Sequence, residues 1–252
     1  MKANGTKDNA FTGAPDFAPP IVEVNNLEKR FGRTVALDDV SFSVKRVESV
    51  LLAGPNGSGK STLLKILTGV IKHPRRSRVV VLGLDPWRFR AQVFAKSGAS
   101  FEDMAFPDFM TAQDYIAFSA ESRGVDPKAA VQYAGGLFGI RQFWDEPIRT
   151  YSSGMKRKTA LAQALAFRSE LLMLDEPFVA IDAKTRKELV NELLARKQTG
   201  VAMIVSSHLM TGLDALIDKI LVMSNGRLVF DGQNERGGES LSDVFDKAME
   251  SA

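Results

Sequence analysis

Nine residues near position 54 combine glycine, lysine and hydroxyl side chains at a spacing that suits phosphate binding. They run Gly54-Pro55-Asn56-Gly57-Ser58-Gly59-Lys60-Ser61-Thr62 and fit the pattern G-x-x-x-x-G-K-[ST]. Glycines let the backbone curl so that successive N–H groups point at a phosphate, and a helix that starts near Gly59 adds its positive end. We expect Lys60 to bridge the β- and γ-phosphates of a nucleotide, and the Ser61 hydroxyl to ligate magnesium. Together the nine residues predict a nucleotide-binding loop.

Two carboxylates follow a run of four apolar residues in Leu171-Leu172-Met173-Leu174-Asp175-Glu176. Such a run is typical of a strand that is buried on both faces. At the end of that strand Asp175 would lie beside the phosphate loop, where it can hold magnesium through water, and Glu176 could polarise an attacking water. The alternative is a strand that ends in acids because it reaches solvent. The phosphate loop upstream favours the first interpretation.

The elements that must position these groups follow the pattern of a parallel α/β unit. Residues 50–53 are continuously apolar, run into the glycine loop and precede a helix with Leu63, Leu64, Leu67 and Val70 at helical spacing. Another helix is expected over residues 183–196, with Asp182 as its cap. Asn225-Gly226 is a strong hairpin signal. Further strands are predicted over residues 171–174, 201–205, 220–223 and 228–230.

The remaining segments suggest how the chain is divided. Residues 1–20 are polar and contain three prolines, which predicts a disordered tail. Residues 107–150 lack strand runs and carry apolar residues at helical spacing, so we expect an inserted helical lobe there. Residues 21–236 would then form the main domain, and residues 237–252 a C-terminal helix.

Composition narrows the classes of function. The chain has 252 residues, with 33 Lys or Arg, 30 Asp or Glu and a net charge of +3, a balance that argues neither for nor against nucleic acid. No nucleic-acid partner is expected. The absence of cysteine excludes disulfides and cysteine catalysis. No run approaches the roughly 18 apolar residues of a membrane span, and the first residues lack the apolar core of a secretory signal. We therefore expect a soluble, cytoplasmic protein, for which any role at a membrane must come through a partner.

With these motifs in place, residues 21–232 resemble the ATP-binding cassette (ABC) ATPases. The matching features are Phe31 for the aromatic that stacks on adenine, Tyr151-Ser152-Ser153-Gly154-Met155 for the LSGGQ signature, Val179-Ala180-Ile181-Asp182 for the D-loop and His208 for the switch histidine. The resemblance implies an α/β fold with a P-loop NTPase core and a mostly parallel sheet. It also implies an N-terminal antiparallel β subdomain and an inserted α-helical lobe.

The resemblance implies a mechanism as well. Two such domains would pair head to tail and trap ATP between the phosphate loop of one and Ser152, Ser153 and Gly154 of the other. Lys60, Glu176 and His208 would be the catalytic residues, with His208 on the γ-phosphate. Magnesium would be held by Ser61, Asp175 and Glu102, the last of which stands where the family has a glutamine.

Several residues depart from the family pattern. Tyr151, Ser153 and Met155 replace leucine, glycine and glutamine of the signature, and residues 74–78 lack a glycine common there. Arg75, Arg76 and Arg78 instead form a basic cluster, for which a solvated turn is the main expectation and a phosphate or partner contact the alternative.

By resemblance, the chain would drive transport by pairing with a separate membrane-spanning permease and with a second ABC ATPase domain. The permease would dock near Phe101, Phe106, Phe109 and Met110. The tyrosine in the signature and the C-terminal segment resemble exporters of the multidrug or antibiotic type. Two alternatives stay open: a soluble ABC ATPase without a transport role, as in cluster assembly, and a nucleotide-responsive module with little turnover.

Overall fold

The computed structural model describes residues 18–235 and 237–251. The predicted disordered tail, residues 1–20, lies outside the described residues except for its last three, which are irregular. The strands, in chain order, are β1 Val22–Phe31, β2 Thr34–Val44, β3 Ser49–Ala53, β4 Arg78–Val81, β5 Ser97–Ser100, β6 Leu171–Asp175, β7 Ala202–Ser206, β8 Lys219–Ser224 and β9 Arg227–Gln233. The helices are α1 Lys60–Leu67, α2 Arg90–Lys96, α3 Ala112–Glu121, α4 Pro127–Gly135, α5 Ser153–Leu165, α6 Ala183–Gln198 and α7 Leu241–Glu250.

The strands form two sheets. The first is antiparallel, with the order β2-β1-β4. The second has the order β5-β6-β7-β3-β8-β9 and is parallel except for β9, which runs antiparallel to β8. The predicted α/β class, with a mostly parallel sheet and an N-terminal antiparallel subdomain, is confirmed. The predicted strands are present and differ by only a few residues at their ends.

The second sheet is buried on both faces, which explains the continuous apolar runs of its central strands. One face, with Val50, Leu52 and Met173, packs against α1 and the first sheet. The other face, with Leu51 and Leu174, packs against α5, α6 and the helices of residues 112–135. Because successive strand residues point to opposite faces, one short apolar strand serves two separate cores.

The first helix differs from the sequence prediction at its C-terminal end. Leu63, Leu64 and Leu67 are buried as expected. Val70 was expected on the same face but is 61% exposed. The helix ends at Leu67, and Gly69 turns the chain with a φ of +72°. The helical spacing therefore stops applying before Val70, because glycine in this conformation ends a helix.

Residues 107–150 contain α3, α4 and two short 3-10 helices at Ile140–Gln142 and Ile148–Thr150. Thr111 caps α3 in a capping box with Asp114, and Asp126 caps α4. Gln163 on α5 donates to the Ser119 hydroxyl at 2.8 Å, a buried bond that joins this region to α5. No helix among the described residues is long and apolar enough to cross a membrane.

We expect Gly98→Ala to lower the free energy of unfolding by about 1–3 kcal/mol, because the new methyl group would overpack the contact between β5 and α5. A Cβ at Gly98 would lie 2.3 Å from the Ala164 carbonyl oxygen. Urea denaturation measures the change. Gly136→Ala is the control, because its Cβ would lie 3.3 Å from the Tyr133 carbonyl oxygen and its φ is −78°. Equal losses in both variants would contradict the packing explanation.

Candidate functional site

Three parallel strands, β3, β6 and β7, bring the candidate residues to one edge of the second sheet. Leu52 of β3 and Asp175 of β6 both pair with Ser206 of β7. The segments that follow these strands carry the glycine loop, Glu176 and His208. Residues far apart in sequence thus meet because the carboxyl ends of parallel strands lie together.

The glycine loop fits closely between neighbouring backbones. A Cβ at Gly54 would lie 2.4 Å from the Met223 carbonyl oxygen, and one at Gly59 would lie 2.6 Å from the Ala36 carbonyl oxygen. Gly59 precedes α1 with a φ of +107°, a conformation that favours glycine. The Ser58 hydroxyl is buried without a hydrogen bond among the described residues. The loop curls around the N-terminal end of α1 as its sequence predicts.

Lys60 lies in the interior of this loop. Its Nζ donates to the carbonyl oxygens of Gly54 at 2.7 Å and Pro55 at 3.2 Å. The same Nζ lies 3.8 Å from Glu176 Oε1. The ammonium group and the carboxylate that were predicted to share a site therefore face each other.

The two acids at the end of β6 are both buried, and Ser206 supports both. The Ser206 hydroxyl donates to Asp175 Oδ1 at 2.5 Å and accepts from the Glu176 backbone N–H at 2.9 Å. Glu176 has a φ of +45°, in the left-handed region that residues other than glycine seldom adopt. Within the described residues, Glu176 Oε1 is buried without a hydrogen bond.

His208 completes this group. Its Nδ1 lies 2.9 Å from Glu176 Oε2, and its backbone N–H donates to the same oxygen at 3.3 Å. The imidazole is about half exposed, so its outer edge faces solvent. The structure thus brings together Lys60, Glu176 and His208, the three side chains predicted to be catalytic.

Phe31 lies at the end of β1 and is 48% exposed, so it is not a core residue. Lys29 Nζ lies 5.1 Å from the centre of its ring. A flat, exposed aromatic ring beside a cation can accept a stacked base.

The predicted signature segment is anchored through its tyrosine. Tyr151 is buried, and its hydroxyl donates to the Phe143 carbonyl oxygen at 2.9 Å and accepts from the Ala112 N–H at 3.4 Å. Ser152 caps α5, because its hydroxyl accepts from the Met155 N–H at 3.2 Å. Ser152 and Ser153 are exposed. A Cβ at Gly154 would lie 3.2 Å from the Ala180 carbonyl oxygen, so the segment packs against the predicted D-loop.

The three predicted metal ligands occupy different environments. Asp175 is buried, whereas Ser61 and Glu102 are exposed. The described residues contain no group of three or more His, Asp or Glu that could hold a metal ion. A metal cage made only of protein side chains is therefore absent from this part of the chain. One buried carboxylate and one hydroxyl fit a Mg²⁺ ion that takes its other ligands from phosphates and water.

Two residues of the site were missed by the sequence analysis. Ser206 supports both acids, but the pattern of β7 gave no sign of that role. Arg157 is buried in α5 and donates to the backbone oxygens of Asp175 and Glu176, each at 2.5 Å. Arg157 does not stand out in the sequence, because its neighbours Lys156 and Lys158 are also basic. Its position on the face of α5 that packs against the core is the signal that could have identified it.

The basic cluster of residues 75–78 is largely paired. Arg76 bonds to Glu28, and Arg78 lies 3.3 Å from Glu23. Arg75 is exposed. These contacts agree with the expected solvated turn.

Known proteins that resemble this chain are ATP-binding proteins of ABC transporters. A family model described as ABC transporter matches residues 37–179. From Bacillus subtilis (strain 168), the uncharacterized ABC transporter ATP-binding protein YcbN is 30% identical over 211 residues, covering 83% of this chain and 68% of YcbN. The linearmycin resistance ATP-binding protein LnrL of that strain is 29% identical over 212 residues, covering 83% of this chain and 68% of LnrL.

An import protein and a solved structure are also similar. The sulfate/thiosulfate import ATP-binding protein CysA of Yersinia pseudotuberculosis serotype I is 35% identical over 215 residues, covering 82% of this chain and 59% of that protein. A dimeric ATP-binding cassette in a post-hydrolysis state, bound to ADP and phosphate, matches with a TM-score of 0.73 and 22% identity. The match covers 85% of this chain and 99% of that one.

Tyr151→Phe is expected to lower the free energy of unfolding by about 1–2 kcal/mol, because the Phe143 carbonyl and the Ala112 N–H lose their buried partner. Thermal denaturation followed by circular dichroism measures the loss. Tyr115→Phe is the control, since the Tyr115 ring packs edge-on against Phe106 and its hydroxyl has no hydrogen bond in the part of the chain that the structure describes. If the two variants lose the same stability, the hydroxyl of Tyr151 is not an anchor.

Proposed function

Since the chain belongs to the ABC transporter family, whose ATP-binding members are ATPases, we propose that it hydrolyses ATP with Mg²⁺ to drive transport through a separate membrane-spanning partner. The observation that carries this proposal is the buried carboxylate of Glu176. It lies between Lys60 Nζ at 3.8 Å and His208 Nδ1 at 2.9 Å, and one of its oxygens has no hydrogen bond among the described residues. A buried carboxylate oxygen that lacks a donor is suited to accept one from a water molecule.

In this proposal the glycine loop, residues 54–62, holds the phosphates through its N–H groups and the N-terminal end of α1. Lys60 balances the charge of the β- and γ-phosphates, and the adenine stacks on Phe31. Ser61, Asp175 and Glu102 would hold Mg²⁺, which would supply positive charge to offset that of the phosphates.

Hydrolysis depends on Glu176 and His208. Glu176 orients a water molecule toward the γ-phosphorus and accepts its proton. His208 donates a hydrogen bond to the γ-phosphate, and its contact with Glu176 keeps the imidazole in place. Each such preorganised group is worth about 10²-fold or more in rate.

The chain is proposed to act as one half of a pair. Ser152 and Ser153 are exposed at the start of α5, so a γ-phosphate held by a second cassette can reach their donors and the positive end of the helix. The similar cassette that was solved as a dimer supports this arrangement. The Ser153 side chain stands where the family has glycine, and its hydroxyl is a further donor to that phosphate.

The membrane-spanning partner is proposed to dock in the segment that follows Glu102. Phe109, seven residues further along the chain, is 76% exposed, the largest value among the large exposed apolar side chains of the described residues. Phe106 stacks edge-on against Tyr115 with ring centres 5.2 Å apart, so it belongs to the lobe. Aromatic side chains are enriched in the buried cores of protein interfaces, so Phe109 is the residue proposed to contact the partner. The partner would place the chain at the inner face of the membrane.

Export of a drug-like or antibiotic compound is the proposed direction. The similarity to a linearmycin resistance protein supports this direction. Tyr151, the first residue of the signature segment, supports it as well, because a tyrosine there resembles exporters of this type. Import proteins share comparable identity, so the direction is tested through the partner rather than through this chain.

Glu176→Gln is expected to leave ATP binding intact and to lower steady-state ATP hydrolysis at least about 10²-fold, because the amide cannot accept the proton of the attacking water. Phosphate release and binding of a fluorescent ATP analogue give the two measurements. Glu170→Gln, at an exposed acid paired with Arg46 and Lys96, is the control and should hydrolyse normally. Unchanged turnover in Glu176→Gln would refute its role. No turnover in the parent chain would favour a nucleotide-responsive module.

Phe109→Asp is expected to reduce co-purification of this chain with a membrane protein, because a charge replaces apolar contact area at the docking surface. ATP hydrolysis by the isolated variant should stay normal. Affinity purification from detergent-solubilised membranes, followed by mass spectrometry, measures the association. Val70→Asp places the same charge at another exposed apolar position and should not affect it. Association with soluble proteins alone would favour the cluster-assembly alternative.

A further inference from the structure

Arg157 makes contacts that its position in a basic helix did not predict. It lies in α5, five residues after the Ser152 cap, and is buried. Nη1 donates to the Phe101 carbonyl oxygen at 2.9 Å and approaches the Ser100 hydroxyl at 3.4 Å. Nη2 donates to the carbonyl oxygens of Asp175 and Glu176, each at 2.5 Å. One guanidinium thus joins α5 to two loops of the site.

Apart from the contact with the Ser100 hydroxyl, these bonds go to backbone oxygens, and none of them ends on a carboxylate. A rigid guanidinium presents its donors as a fork, so it fixes several carbonyls relative to each other, which a flexible ammonium cannot do. Charged hydrogen bonds of this kind are among the stronger ones in proteins. Burial lowers the pKa of Arg157, and the nearby Asp175, Glu102 and Glu176 act in the opposite direction.

The backbone held in this way is the one that aims Glu176. Glu176 has a φ of +45°, a conformation that costs free energy for a residue with a side chain and that persists only when its surroundings hold it. Its N–H is fixed from one side by the oxygens of Ser206. Its carbonyl, and the carbonyl before it, are fixed from the other side by Arg157. Both peptide groups that set the direction of the Glu176 side chain therefore have a partner.

We propose that Arg157 is a positioning residue for ATP hydrolysis, which holds the Glu176 turn in its reactive geometry and ties it to the helix that carries the signature. This inference rests on the proposed function of Glu176. It predicts that loss of the guanidinium affects turnover more than ATP binding, because the phosphate loop makes none of these bonds. A displacement of about 1 Å at a reacting group can cost about 10²-fold in rate.

Arg123 offers a matched control in the same molecule. It is also a buried arginine that donates to backbone oxygens, those of Phe94 and Ser97. Its guanidinium lies 3.6 Å from the Phe94 ring centre and 4.2 Å from that of Phe167. Both arginines have a buried Nε without a hydrogen bond among the described residues. Arg123 contacts none of the predicted catalytic or nucleotide-binding residues.

The test compares Arg157→Ala, Arg157→Lys and Arg123→Ala in thermal stability, KM for ATP and kcat. Both alanine variants should melt at a lower temperature. Arg157→Ala should lose at least about tenfold in kcat with KM changed by less than about threefold, and Arg123→Ala should keep kcat within about twofold. Arg157→Lys should lie between the parent and Arg157→Ala, since a lysine can donate to only part of the set.

Chemical rescue separates positioning from general destabilisation. A cavity of about 250 Å³ is lined by Arg157 together with Phe101, Glu102 and Ser153, so a small cation can reach the emptied position. Millimolar guanidinium should restore several-fold of the kcat lost in Arg157→Ala, at concentrations well below the molar range that unfolds proteins. It should not change Arg123→Ala.

Equal loss of kcat in the two alanine variants, or no recovery with guanidinium, would overturn the proposal. A KM that rises in step with the loss of kcat would overturn it as well. If the alanine variants do not fold, the comparison is made between Arg157→Lys and Arg123→Lys, where equal kcat would count against it. Failure of the proposed function looks different, because the parent chain itself would then show no turnover with Mg-ATP.

Discussion

A carboxylate can be buried in a protein only where other groups replace the water that it loses. Glu176 is 6% exposed, and its side chain faces Lys60 on one side and His208 on the other. Lys60 is buried as well and depends on the carbonyls of the glycine loop as much as on the carboxylate. Neither the Glu176 carboxylate nor the Lys60 ammonium group would be stable at its buried position without these partners. The strand order β6-β7-β3 meets this need, because it places the three segments that carry these side chains next to one another.

One departure from the family signature, Tyr151, is explained by its packing. Tyr151 occupies a buried position where its ring packs at 82° against Phe143, with ring centres 5.0 Å apart, and its hydroxyl is satisfied by backbone. Lys158, on the next turn, bonds to Asp182 at 2.7 Å. That bond and those from Thr185 hold the pKa of Asp182 below its ordinary value. The start of α5 is therefore held both to the helical region and to the start of α6.

Much of the fold and the centre of the site could be predicted because their signals are local. A run such as residues 50–53 predicts a buried strand, and the glycine loop after it specifies its own geometry. By contrast, β5 has the sequence Ser97-Gly98-Ala99-Ser100, which lacks any apolar pattern. It is a strand because Gly98 lets α5 approach closely and because β6 pairs with it. Ser206 and Arg157 were missed for a related reason: their roles depend on partners far away in sequence.

The turn between β8 and β9 has a consequence for how such sequences are divided. Its Gly226 N–H donates to the Ser58 carbonyl, and its Gly226 carbonyl accepts from the Asp38 N–H. The Met223 carbonyl lies so close to Gly54 that a Cβ there would be 2.4 Å from its oxygen. The glycine loop thus packs against residues that follow His208, the last recognisable motif in the sequence. A fragment cut at residue 210 would contain each motif of the cassette and yet lack the surface on which the loop is shaped. In this chain, a fragment can therefore contain every motif and still lack a correctly shaped site.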